Sequence, residues 1–234
     1  GSTGFAVPFY LAHRRLVRLE HSQMFEAEGS THDWCMRLLR HEAAHAMDNA
    51  YRLHSRRDWR QTFGNYSAPY RSAYRANPTS KRYVQNLGSW YAQSHPAEDY
   101  AESFAVWLTP NSRWQKVYEG WPALKKLHVL DKMLKDIGDL PPPVRSRDRD
   151  ESLPRVKLTL RDYYRRISGF KANAGIDVQG AVHGWFRMPQ PLSFYANNDS
   201  GMGNTFPRNA PGLARDAVQA ALNAGVDFTP YDVL

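Results

Sequence analysis

The sequence predicts a predominantly helical α+β fold, and three observations lead there. Two segments, RLLRHEAAHAMDNAYRL around residues 41–45 and EDYAESFAVWL at 98–108, repeat residues at the three- and four-residue spacing of a helix face. Punctuation brackets both: Ser30 and Thr31 precede the first, Pro96 heads the second, and Thr109-Pro110 stops it. Strand-like stretches are short and fall between Gly175 and Asn209, where Gly, Pro and Asn mix with scattered aromatics.

In chain order, a helix capped by Ser30 or Thr31, with Asp33 in its first turn, lines up Trp34, Leu38, His41 and His45 on one face. After Leu53, the polar and aromatic stretch HSRRDWRQTFGNYSAPYRSAYRANPTSKRY contains Gly64, Pro69 and Asn77-Pro78, which imply loops and short segments. A second helix runs from Pro96 to Leu108, and a third spans roughly Trp121 to Ile137. The triple proline at 141–143 and RSRDRDESLPR read as a linker or surface strap. TLRDYYRRISGF reads as helical, Gly175–Asn209 as ordered loops or short strands, and Pro211–Ala224, followed by Gly225, as a last helix. These elements divide the chain into a main domain at 5–140, a linker or strap at 141–155, and a C-terminal extension at 156–234 expected to pack on the main domain.

A chain of 234 residues with 42% apolar and 13% aromatic content can build a substantial core. No run approaches the roughly 18 apolar residues of a membrane span, so no membrane partner is expected. The start, GSTGFAVPFYLAHRR, lacks a signal-peptide layout, and Gly1 to Gly4 read as added residues. The single cysteine, Cys35, cannot form an internal disulfide; with no sign of an oxidising compartment, a cytoplasmic location is favoured. The balance of 31 Lys+Arg against 23 Asp+Glu leaves a net charge of +8, much of it between residues 145 and 171. That stretch reads first as a solvated face and second as a patch for nucleic acid or an acidic partner.

HEAAH carries the chemistry. Residues four apart on a helix are neighbours, so His41 and His45 can converge on one ion. Glu42 sits about 100° around the axis, within reach of a water on that ion. A catalytic zinc usually takes three protein ligands, so a third donor must come from elsewhere. Glu98 is the first choice and His95, three residues earlier, the alternative; Asp99 points about 100° away from Glu98. Glu102, one turn beyond Glu98 on the same face, is placed to orient a ligand histidine. Asp48 can support a ligand or cap a neighbour. A metzincin would need Gly and His where this chain has Asp48 and Tyr51, and Cys35 points away from His41 as a small core residue. His183 and Tyr195 reach the cleft only if the C-terminal loops fold back onto it.

HEAAH followed by AEDYAESFA resembles the gluzincin zinc metallopeptidases, in which HExxH is joined by a glutamate ligand from a later ExxxE helix. The pattern is similar to the zinc-binding metallopeptidase family of bacteria and, more distantly, to the catalytic domain of anthrax lethal factor. The likeness spans roughly residues 30 to 110. It implies a zincin-like domain with an active-site helix and a glutamate helix, with Zn2+ as cofactor. It further implies His41, His45 and Glu98 as ligands, Glu42 as general base, Glu102 as the partner of His41, and Tyr91, seven residues before Glu98, as oxyanion donor. The expected activity is hydrolysis of a protein or peptide substrate, by an endopeptidase or processing peptidase since the aminopeptidase signature GxMEN is absent. The alternative is a non-catalytic zinc-containing module that binds an acidic partner or nucleic acid through residues 145–171.

Overall fold

Two helices with buried alanines on their shared side set the architecture. The computed structural model describes residues 3–71, 74–145, 157–174 and 193–194. Within them run seven α-helices: α1 (Arg14–Met24), α2 (His32–Tyr51), α3 (Arg57–Phe63), α4 (Pro96–Leu108), α5 (Trp114–Val117), α6 (Pro122–Ile137) and α7 (Leu160–Ala174). Tighter single turns lie at Phe9–Ala12, Leu53–Ser55 and Tyr91–Gln93. Val7–Pro8 (β1) pairs antiparallel with Ser193–Phe194 (β2), Val7 opposite Phe194. The fold is predominantly helical, as the sequence predicts, with this one strand pair among the described residues.

α2 begins where the Thr31 hydroxyl accepts the Trp34 N–H at 3.4 Å, with Asp33 in the first turn. Gly29, at φ 75°, turns the chain into that cap; a Cβ there would stand 3.2 Å from side-chain carbons of Leu11 and Leu38. α4 starts with Pro96 in its first turn and ends at Thr109, whose hydroxyl and N–H both reach the Ala105 carbonyl. Every α4 residue from Ala97 to Leu108 is buried. α2 packs on α4 more extensively than on any other element, and Ala43, Ala44, Ala101 and Ala105 are fully buried. Such small side chains let two backbones approach closely enough for short polar side chains to meet across the gap.

α6 lays Leu127, Leu130, Leu134 and Ile137 against α4 and α3 in a three–four stripe, and the Trp107 indole donates to Asp131 at 3.0 Å. Trp59 of α3 closes the core against Phe63, Tyr66 and Tyr100. At the other end, Tyr163 of α7 meets Phe9 edge-on at 5.1 Å between ring centres, and the Tyr164 hydroxyl donates to buried Glu20 at 2.6 Å. The proline segment passes the end of α2, where Val144 N–H donates to Ala50 and the Tyr51 hydroxyl to Leu140.

α1 is an element the sequence reading does not anticipate. In RRLVRLEHSQM three arginines interrupt Leu16, Val17 and Leu19, which pack only partly buried against the core, and the helix fully buries only Glu20 and Met24. α7 runs four residues past the predicted Phe170 to Ala174. The predicted helix Pro211–Ala224, together with His183 and Tyr195, lies outside the described residues. No described helix is long and apolar enough to cross a membrane. Cys35 is a buried core residue, and burial pushes its thiol up to about 12.

Candidate metal centre

α2 and α4 bring His41, His45 and Glu98 to one point. Glu98 Oε2 lies 3.0 Å from His41 Nε2 and 3.4 Å from His45 Nε2, and the two imidazole nitrogens are 3.3 Å apart. Donor atoms held about 2.0–2.1 Å from a tetrahedral zinc stand roughly 3.3 Å from one another, so the spacing of this triangle fits such an ion. Two imidazoles and one carboxylate also match the donor chemistry of a zinc site with three protein ligands.

The three donors sit in unequal surroundings. The side chains of His41 and Glu98 are 3% and 4% exposed, whereas that of His45 is 27% exposed, and Glu42 is only partly buried. The centre therefore opens to solvent on the His45 and Glu42 side. Burial works against a charged His41, but hydrogen bonds to Glu102 and Glu98 outweigh it and hold the ring well above its ordinary range. Burial likewise raises Glu98, but the neighbouring His45 charge and the bonds to His41 pull it well below the usual carboxylate range. Glu42 moves the other way: burial raises it, only partly offset by His45 and His41.

Glu102 is fully buried and meets His41 Nδ1 at 2.9 Å, on the ring edge opposite the triangle. It also accepts the N–H groups of Asn86 and Leu87 at 3.0 and 2.8 Å and the Asn86 amide at 3.2 Å. One carboxylate thus fixes the His41 ring and anchors the loop between α3 and α4. Asn86 further exchanges hydrogen bonds with Arg37, tying that loop to α2.

Tyr91 is buried at the end of this loop, its ring centre 5.6 Å from that of His41. Ser89 and Trp90 before it hold φ of 58° and 53°, a left-handed conformation that costs a bulky non-glycine residue on the order of 1–3 kcal/mol. Strain of that size persists where surrounding contacts dictate it, and here it turns Tyr91 in beside His41.

Other candidates resolve elsewhere. Asp48 accepts the His54 N–H at 2.6 Å and meets the His54 ring at 3.0 Å, so it caps the turn after α2 and its hydrogen bonds go to His54 rather than to a member of the triangle. His95, the alternative third donor, spends both ring nitrogens on backbone: Nδ1 accepts the Ala97 N–H as helix cap and Nε2 meets the Ala68 carbonyl at 2.8 Å. Asp99 points away from the centre, pairs with Lys126, and lines a cavity of about 320 Å3 with Phe63, Tyr74 and Ser94.

Two residues near the centre receive no site role from the sequence. Tyr70 donates its hydroxyl to Glu98 Oε1 at 2.9 Å. Glu28 is pushed up to about 8 by burial and then by the nearby charge of Glu42, which places a second carboxyl on the Glu42 side. Neither has a spacing signal, since both lie outside the two helices that carry the motif.

Of two matches to known protein families, one covers the centre. Residues 35–118 match the family model described as "Putative zinc-binding metallo-peptidase", a span that contains both HEAAH and the α4 glutamates. Residues 152–234 match the model described as "Immune inhibitor A peptidase M6, catalytic domain". No curated protein and no solved structure matches the chain. Both matches are to peptidase families, one of them zinc-binding, and the His41, His45 and Glu98 group supplies a fitting metal site.

Proposed function

We propose that this zinc metallopeptidase cleaves internal peptide bonds, as a selective endopeptidase or processing peptidase, with His41, His45 and Glu98 holding the ion. The observation that carries the assignment is the triangle of donor atoms at 3.0, 3.3 and 3.4 Å, open on the side of His45. When bound, zinc supplies Lewis acidity, lowering the pKa of water and polarising the scissile carbonyl. The protein's own groups do the rest. Glu42, next to His41 in sequence and facing the open side, takes the proton of the attacking water and returns it to the departing amine. Burial raises its carboxyl above the ordinary carboxylate range, which helps it hold a proton between the two transfers. Tyr91 donates to the oxygen on which negative charge develops. Glu102 keeps the His41 ring oriented.

The extension beyond residue 156 serves in this proposal as a specificity element on the catalytic part. Its support is the packing of Tyr163 and Tyr164 on Phe9 and Glu20. The test is proteome-wide cleavage profiling of the zinc-loaded wild type beside Glu42→Gln. Internal cleavages present in the first and lost in the second are expected. Products released only from chain ends would replace the endopeptidase assignment, and equal cleavage by both proteins would remove Glu42 from its role.

A further inference from the structure

We propose that Tyr70 is a positioning residue for the third ligand, one that commits Glu98 to a single oxygen toward the ion. The two carboxylate oxygens of Glu98 have different company. Oε2 faces both imidazoles, at 3.0 and 3.4 Å, while Oε1 accepts the Tyr70 hydroxyl at 2.9 Å. A carboxylate with one oxygen held by a phenol presents the other, and the hydrogen bond resists rotation into a two-oxygen grip that would use up a coordination position.

Tyr70 is itself held in place. Its ring stacks on His95 with centroids 3.6 Å apart and planes 22° from parallel. His95 is locked by its bonds to Ala68 and Ala97, so the stack rests on the N-terminus of α4, the same turn that carries Glu98. Tyr70 is nonetheless 46% exposed as a residue. The half-exposed residue is held by its stack on His95 and by its hydroxyl on the buried carboxylate. The stacking fixes the direction and the hydroxyl fixes the oxygen.

The inference rests on Glu98 being a ligand, and the experiment separates the two. Zinc affinity of the full chain is measured by competition with a chromogenic chelator for wild type, Tyr70→Phe, Tyr70→Ala, Glu98→Ala and the double variant Tyr70→Phe/Glu98→Ala. The visible spectrum of each cobalt-loaded protein is recorded alongside. Loss of the outer hydrogen bond weakens zinc about 10- to 100-fold in Tyr70→Phe, with a shifted cobalt spectrum and an unchanged far-ultraviolet dichroism. The same substitution has no further effect in the Glu98→Ala background. Wild-type affinity and cobalt spectrum in Tyr70→Phe, or a loss confined to Tyr70→Ala, would overturn the role of the hydroxyl. Equal losses with and without Glu98 would show that Tyr70 acts elsewhere. Full zinc affinity in Glu98→Ala alone would instead remove the ligand assignment beneath it.

Discussion

α4 and α2 supply the two sides of one centre from opposite environments. α4 is buried along its whole length after Pro96, yet it carries Glu98, Asp99 and Glu102. Each of the three has a partner: Glu98 the two imidazoles and Tyr70, Asp99 Lys126, and Glu102 His41 and the Asn86–Leu87 backbone. Carboxylates taken out of water without partners would cost several kcal/mol each, so these acids are held in fixed positions by what they bind. α2 holds His41 as deeply as α4 holds its acids, but leaves His45 and Glu42 partly exposed. In the proposed function the difference separates tasks: the buried helix fixes geometry, and the half-open helix presents reactive groups to water and substrate.

The sharpest way to break this division is Glu42→Gln. A group that only transfers protons should lower turnover about 10^3-fold while zinc content and melting temperature stay at wild-type values. Loss of zinc in this variant would make Glu42 structural and erase the contrast between the helices. Tyr91→Phe is the next largest: kcat is expected to fall roughly 100-fold, with KM and metal content little changed, as for removal of one oxyanion donor. An unaltered kcat would take Tyr91 out of the site.

Glu102→Ala tests the buried side. It should weaken zinc 10- to 100-fold through the freed His41 ring. It should also lower stability by about 1–3 kcal/mol in denaturant titration, since the Asn86 and Leu87 N–H groups lose their acceptor. Affinity loss without stability loss would mean that the loop does not depend on this carboxylate.

The smallest effect is a proton count. Against the effect of burial, hydrogen bonds to Glu102 and Glu98 favour the protonated form of His41, and the two imidazoles favour the ionised form of Glu98. Zinc needs the neutral imidazole, so metal and proton compete and affinity rises as pH rises through the titration of His41. Calorimetric titration in buffers of different ionisation enthalpy should report release of on the order of one proton per zinc bound. No release would mean that His41 is already neutral in the empty site.

How much of this was legible follows the same division. The α2 and α4 faces are periodic, so spacing alone puts His41 next to His45 and Glu98 next to Glu102, and Pro96 and Thr109 mark the limits of α4 correctly. Apart from Tyr91, which the family resemblance named, the contribution of the 64–95 loop was not legible. Tyr70, Asn86 and Leu87 reach the centre from irregular backbone, where no period says which way a side chain points. The two left-handed residues before Tyr91 could not be read from Ser and Trp, which seldom adopt that conformation. Asp48 went to His54 because the chain reverses at Arg52, φ 51°, and brings the next turn back over the end of α2. α1 went unread because its apolar residues Leu16, Val17 and Leu19 crowd into its first half among three arginines and are only partly buried against the core.

The most direct test of the centre is X-ray absorption at the zinc edge of the loaded protein. Two imidazole nitrogens, one carboxylate oxygen and one further light donor from solvent, at about 2.0–2.1 Å and with no sulfur, are the expected environment. Four protein donors, a sulfur ligand, or a single imidazole would contradict a three-ligand centre built by α2 and α4.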